Sequence, residues 1–165
     1  MNFENLITAV ESSLPAERIQ ESKHAWVSEF QENLQKNLNL VENGYDWEIE
    51  YDSSEHPEHD RIDVCGVPKG SPKRTPKWII EIDATRADQI AKKFVSRLAL
   101  WGLEESINYV AIMYPDTANG KAECEKYLRY CRDIMKKKIN PDSAVYGIFI
   151  YPDKGVAEPW HPVEA

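Results

Sequence analysis

Three carboxylates carry the strongest chemical signal in the chain. Glu81 and Asp83 stand two residues apart inside the apolar run Trp78-Ile79-Ile80-Glu81-Ile82-Asp83, and side chains two apart on a strand share one face. Like charges on one face of a strand in such a run are costly unless they are paired or bound to a cation. Asp63 lies in RIDVCGV (61–67), a second strand by its alternation, where it points away from Ile62 and Val64. The two strands are joined by PKGSPKRTP (68–76), whose prolines and glycine mark an exposed hairpin connection. If they pair antiparallel, Asp63 stands beside Glu81 on one sheet face. Three carboxylates converging there make a hard-oxygen site suited to Mg²⁺ or Mn²⁺. Such an ion polarises a phosphoryl oxygen, lowers the pKa of a bound water and stabilises the leaving oxygen. Asp63 and Glu81 are the expected metal ligands, with Asp83 either a third ligand or the group that orients the attacking water.

Cations follow at once. Residues 86–100 have helical period, with Ala87, Ile90, Ala91, Phe94, Leu98 and Trp101 as the buried stripe. At about 100° per residue, Arg86, Lys93 and Arg97 line one flank of that stripe, a surface able to hold phosphate. Lys69, Lys73 and Arg74 in the hairpin are further candidates for a nucleic-acid backbone. Plainer readings exist for each group. Glu81 and Asp83 could be surface acids on an edge strand, paired with Arg61 or Lys77, and the basic flank could be a solvated, salt-bridged helix surface. His56-Pro57-Glu58-His59 looks superficially like a metal pair, but no matching pair of ligands stands elsewhere and histidines such as His161 are distant, so it reads as a polar loop.

The elements that must position these groups can be read in order. Residues 2–12 and a segment from Ser13 to about Leu38, with Pro15 in its first turn, read as helices. The second of these buries Val27, Phe30, Leu34 and Leu38. Strands follow at 45–51, where Tyr45, Trp47, Ile49 and Tyr51 alternate with acids, then at 61–67 and 77–83. After the 86–100 helix comes 107–114, an almost continuous apolar run that suits a central strand covered on both faces. A helix over 121–138 buries Cys124, Leu128, Cys131 and Ile134, and residues 144–151 form the last strand. The tail 152–165 is Pro-rich and expected to be irregular. The order ααβββαβαβ implies an α/β (α+β) fold, one domain over 1–165, with N-terminal helices in 1–40 and a mixed five-stranded sheet flanked by helices.

Composition bounds the rest. The chain has 165 residues, enough for a real core, and 42% hydrophobic against 29% charged residues, a balance typical of globular rather than disordered chains. No apolar stretch approaches a membrane span, the N-terminus lacks a basic leader region, and three cysteines without metal spacing argue against a disulfide framework. These point to a cytoplasmic protein. A net charge of −8 counts against non-specific coating of nucleic acid but leaves room for a local basic patch.

The order αβββαβ, with an acid on the second strand and an acid-x-polar pair on the third, resembles the PD-(D/E)xK nucleases of restriction-endonuclease-like fold over roughly residues 15–151. By that resemblance, Asp63 takes the place of the motif aspartate and Glu81 that of the second acid. Asp83 occupies the position where the family usually carries lysine. In some members the lysine has moved to the following helix, and Lys93, or else Lys92, could supply it here. The family often adds a glutamate from the first core helix, for which Glu29 or Glu32 is available. The resemblance implies an Mg²⁺- or Mn²⁺-dependent nuclease with Asp63, Glu81, Asp83 and Lys93 as its catalytic set. Lys93 would stabilise developing charge and Arg86 and Arg97 would position phosphate. Nucleic acid, DNA ahead of RNA, is the expected partner, reached as a homodimer or within a larger defence or repair assembly. The alternative is a catalytically inactive member of the same fold that binds a partner or regulates a system.

Overall fold

The computed structural model describes residues 1–15, 23–52, 61–72, 74–83, 86–101, 106–115 and 120–161. Helix α1 (Phe3–Ser13) starts at Asn2, whose Oδ1 accepts the Asn5 N–H at 2.8 Å, an N-cap that satisfies one of the orphan donors of the first turn. Helix α2 is described over Lys23–Val41. Trp26, Phe30, Leu34 and Leu38, each four residues from the last, form its buried stripe. Ser13, the expected start of the second helical segment, instead ends the first helix. Its hydroxyl donates to Ala9 O at 2.5 Å and accepts from Asn37 Nδ2 at 2.9 Å, which ties α1 to α2.

Six strands form one open mixed sheet in chain order: β1 (Tyr45–Tyr51), β2 (Ile62–Pro68), β3 (Trp78–Asp83), β4 (Asn108–Met113), β5 (Ala144–Tyr151) and β6 (Val156–Pro159). β1, β2 and β3 make an antiparallel meander. β3, β4 and β5 are parallel, and the chain crosses between them through α3 (Asp88–Trp101) and α4 (Lys121–Ile134). The helix expected over 121–138 gives way after Ile134 to a π-helical segment, Met135–Ile139.

β6 corrects the expectation of five strands and an irregular tail. Pro152–Lys154 forms a single 3₁₀ turn, Gly155 at φ 62° reverses the chain, and β6 pairs antiparallel with β5. Two further bonds hold it. The Ala157 N–H reaches Glu11 Oε1 at 3.2 Å, and the Trp160 N–H reaches Gly147 O at 2.8 Å.

The sheet separates two cores. Val64, Trp78, Ile80, Ile82, Val110, Ile112, Ile148 and Ile150 face α1 and α2. Cys65, Val67, Ile79, Tyr109, Ala111, Met113 and Phe149 face α3 and α4, against Ile90, Phe94, Leu98, Cys124, Leu128 and Cys131. Simple alternation fails at one place. Glu50 has φ 48°, a left-handed conformation uncommon for a residue with a Cβ. Past it, Tyr51 and its partner Ile62 pack into the α3/α4 core, although Trp47, Ile49 and Val64 belong to the other. Ile62 and Val64 therefore do not share a face, contrary to the pattern read from 61–67. Among the described residues, no helix is long and apolar enough to cross a membrane.

Candidate functional site

β3 lies between β2 and β4 and all six of its residues are buried. Glu81 and Asp83 are therefore interior acids, not edge-strand surface groups. The β2–β3 ladder runs from Gly66↔Trp78 to Val64↔Ile80, and the next step of that register sets Asp63 opposite Glu81. There the side chain takes over from the backbone, because Asp63 Oδ2 accepts the Ile82 N–H at 2.7 Å.

Lys93 arrives from α3 and meets all three acids. Its Nζ lies 2.9 Å from Asp63 Oδ2, 3.1 Å from Glu81 Oε2 and 3.6 Å from Asp83 Oδ1, and it donates to Ile82 O at 3.2 Å. Arg97 follows one helical turn later, on the same side of α3. Its Nε donates to Glu81 Oε1 at 2.5 Å and its guanidinium also donates to Arg61 O at 2.7 Å. Glu81 is thus divided between two cations, one oxygen bound by Arg97 and the other facing Lys93. Arg97 was expected on a solvent-facing flank with a role in holding phosphate. At 1% exposure it is instead a buried partner of Glu81, closed off from a phosphate.

Burial dominates the electrostatics. It pushes Glu81 up to about 8, with Asp63 adding to the rise and Lys93 and Arg97 opposing it. Burial likewise raises Asp83 to about 6 against the pull of Lys93. For Lys93 burial acts in the opposite sense, but Glu81, Asp63 and Asp83 together outweigh it and hold the ammonium protonated well above the ordinary lysine range. Three acids face two cations, and the compensation is incomplete. Glu81 Oε2 and Asp83 Oδ2 are buried without a hydrogen bond from any described group. The 3.1 Å contact of Glu81 Oε2 with Lys93 is an ion pair whose angle falls outside hydrogen-bond geometry.

Buried polar atoms of this kind need a partner, and the donor set is one that hard cations prefer. Among the described residues, no three His, Cys, Asp or Glu side chains are gathered as ligands of one ion. The three acids converge on the ammonium instead. Mg²⁺ is commonly held by only one or two carboxylates, with waters and substrate phosphate completing its shell, so Asp63, Glu81 and the unbonded Asp83 oxygen fit it by type.

The remaining candidates lie apart from this cluster. Lys92 is exposed and pairs with Asp88 at 3.3 Å, so of the two lysines considered for the displaced charge only Lys93 reaches the acids. Arg86 is exposed and grips Asp88 through two bonds of 2.8 and 2.7 Å. Arg74 is exposed in the β2–β3 connection and pairs with Glu48. Lys73 and the His56–His59 loop lie outside the described residues. Glu29 and Glu32 are exposed on α2, over the opposite face of the sheet. Cys124 and Cys131 are buried core residues. Comparisons with family models, with curated proteins and with solved structures each returned no match.

Proposed function

We propose that this chain is a divalent-metal-dependent nuclease, acting on DNA before RNA and built on a restriction-endonuclease-like core. The observation that carries the reading is the meeting of Asp63 from β2, Glu81 and Asp83 from β3 and Lys93 from the following helix within 3.6 Å of one nitrogen. Four residues from three elements converge at the end of a mixed sheet where structural needs alone would favour apolar side chains. The meander followed by a helical crossover to a parallel strand supports the same fold.

Asp63 and Glu81 would hold the ion, Glu81 on losing the proton that its value of about 8 keeps on it at neutral pH, with Asp83 as a further oxygen donor. The bound ion supplies a polarised phosphoryl oxygen and a more acidic water. Arg97 fixes the rotamer of Glu81 by binding one carboxylate oxygen and leaves the second directed at the site. Asp83, raised to about 6, is ionised at neutral pH and is positioned to orient a water and take its proton. Lys93, protonated throughout the working range, places a positive charge where the leaving oxygen becomes negative.

The test is cleavage of plasmid, oligonucleotide and RNA substrates with Mg²⁺ or Mn²⁺. Chelator-sensitive cutting is expected, reduced roughly 100-fold or more by Asp63→Asn. Wild type that cuts none of them, or an Asp63→Asn protein that cuts equally well, would overturn the reading. One observation favours a second reading, an inactive member of the same fold. Lys93 and Arg97 already compensate much of the acidic charge without a metal. On that reading the folded protein binds a partner and cuts nothing.

A further inference from the structure

The ammonium of Lys93 sits among oxygens of the type that hard cations prefer. One oxygen from each of Asp63, Glu81 and Asp83, together with the Ile82 carbonyl oxygen, surrounds it at 2.9 to 3.6 Å. A divalent ion would draw on the same oxygens, and two positive centres sharing one set of donors repel each other strongly in a poorly solvated site.

We propose that Lys93 is the resident counter-cation of this site, and that a divalent ion enters by displacing its ammonium from the Asp63 and Glu81 oxygens. Metal uptake and release of Lys93 are then one event. The inference deepens the metal-dependent reading above and rests on it.

Three features of the geometry support it. The first is the shared oxygen cup itself. The second is the contrast between the two cations. The Lys93 side chain is 25% exposed, whereas Arg97, 1% exposed, is tied to both Glu81 and the Arg61 carbonyl. Only Lys93 can leave without stranding a buried charge. The third is the pair of buried oxygens without hydrogen bonds, Glu81 Oε2 and Asp83 Oδ2. The ammonium leaves both without a hydrogen bond, and a smaller, doubly charged ion can draw them in. Once displaced, the ammonium stays tethered to α3 beside the ion, where it can meet a phosphate bound to that ion. The resting protein thus stores its charge stabiliser in its metal site.

Two measurements on the full chain, at mildly alkaline pH, test this. The first is Mn²⁺ titration by calorimetry for wild type, Lys93→Met, Lys92→Met and Asp63→Asn. Lys93→Met should bind Mn²⁺ about tenfold tighter or more, since the competing charge is gone. Lys92→Met should match wild type, and Asp63→Asn should lose the site. The second uses wild type alone and so does not depend on a variant's folding. Amine acylation read by mass spectrometry should be slow at Lys93 without metal and several-fold faster with saturating Mn²⁺. If Mn²⁺ binds in an Asp63-dependent way but Lys93→Met binds no tighter, the displacement idea is overturned and the nuclease reading stands. Acylation of Lys93 that Mn²⁺ slows or leaves unchanged has the same consequence. If neither wild type nor Lys93→Met binds Mn²⁺ through Asp63, both fail.

Discussion

β3 sends alternate side chains to the two faces of the sheet, and the faces receive very different groups. Trp78, Ile80 and Ile82 enter the core under α1 and α2, where they join Val110, Ile112, Ile148 and Ile150 from β4 and β5. Ile79, Glu81 and Asp83 face α3, and from Glu81 onward the interior becomes ionic. Burying charge costs more than burying methylenes, and a buried ion pair replaced by well-packed apolar residues is often neutral or stabilising. One face therefore shows what this sheet needs in order to fold. The other departs from that at one end only, next to the exposed flank of Lys93. The departure is concentrated where a ligand could arrive.

Substitutions on the two faces should separate these roles. The largest stability effect is expected for Arg97→Met, which leaves Glu81 buried without its closest partner, at a cost of about 3–5 kcal/mol in urea unfolding. The double variant Arg97→Met with Glu81→Leu should recover much of that loss while abolishing metal-dependent cleavage. Recovery of neither stability nor packing would mean that the ionic face is structural after all.

A smaller effect concerns pH. Asp83 has an ordinary value of 3.8, raised to about 6 in the folded chain. Between those values the unfolded chain has lost a proton that the folded chain still holds. The stability this group contributes is therefore complete below 3.8 and lost as pH rises through about 6. Wild type should lose up to about 2–3 kcal/mol across that window relative to Asp83→Asn. Parallel pH profiles for the two proteins would remove Asp83 from the account. The smallest effect is expected on the apolar face. Ile80→Val, one position before Glu81, should cost about 0.5–1.5 kcal/mol and leave both cleavage and Mn²⁺ affinity unchanged. If it impairs either, the two faces are not independent.

Much of the acidic side of the site was legible from spacing. Period two fixed Glu81 and Asp83 on one face, and a short basic connection implied the antiparallel neighbour that carries Asp63. Lys93 came from resemblance, and helical period agrees with it. Arg97 was placed on the right side of α3 but given the wrong surroundings. Its i+4 spacing from Lys93 was the available clue, yet its burial depends on how α3 sits over β3, which no local pattern contains. Glu50 was equally hidden. Its left-handed backbone interrupts a run whose alternation looked perfect, and it moves Tyr51 and Ile62 to the other core. β6, four residues among prolines, carries little strand signal. The Pro-Asp-Lys-Gly sequence at 152–155, lying between an apolar run and Val156, is the local hairpin cue.

The bond from the Ile82 N–H to Asp63 Oδ2 has a consequence for how this chain can change over generations. An acceptor at position 63 completes the backbone pairing whether or not any chemistry happens beside it. A lineage that gave up catalysis would still be held to Asp or Asn there, because alanine strands a backbone donor. Asp63 alone is thus a poor marker of activity. Lys93 also meets a backbone group, the Ile82 carbonyl, so in a lineage released from catalysis Asp83, whose side chain bonds no backbone atom among the described residues, is the residue freer to drift.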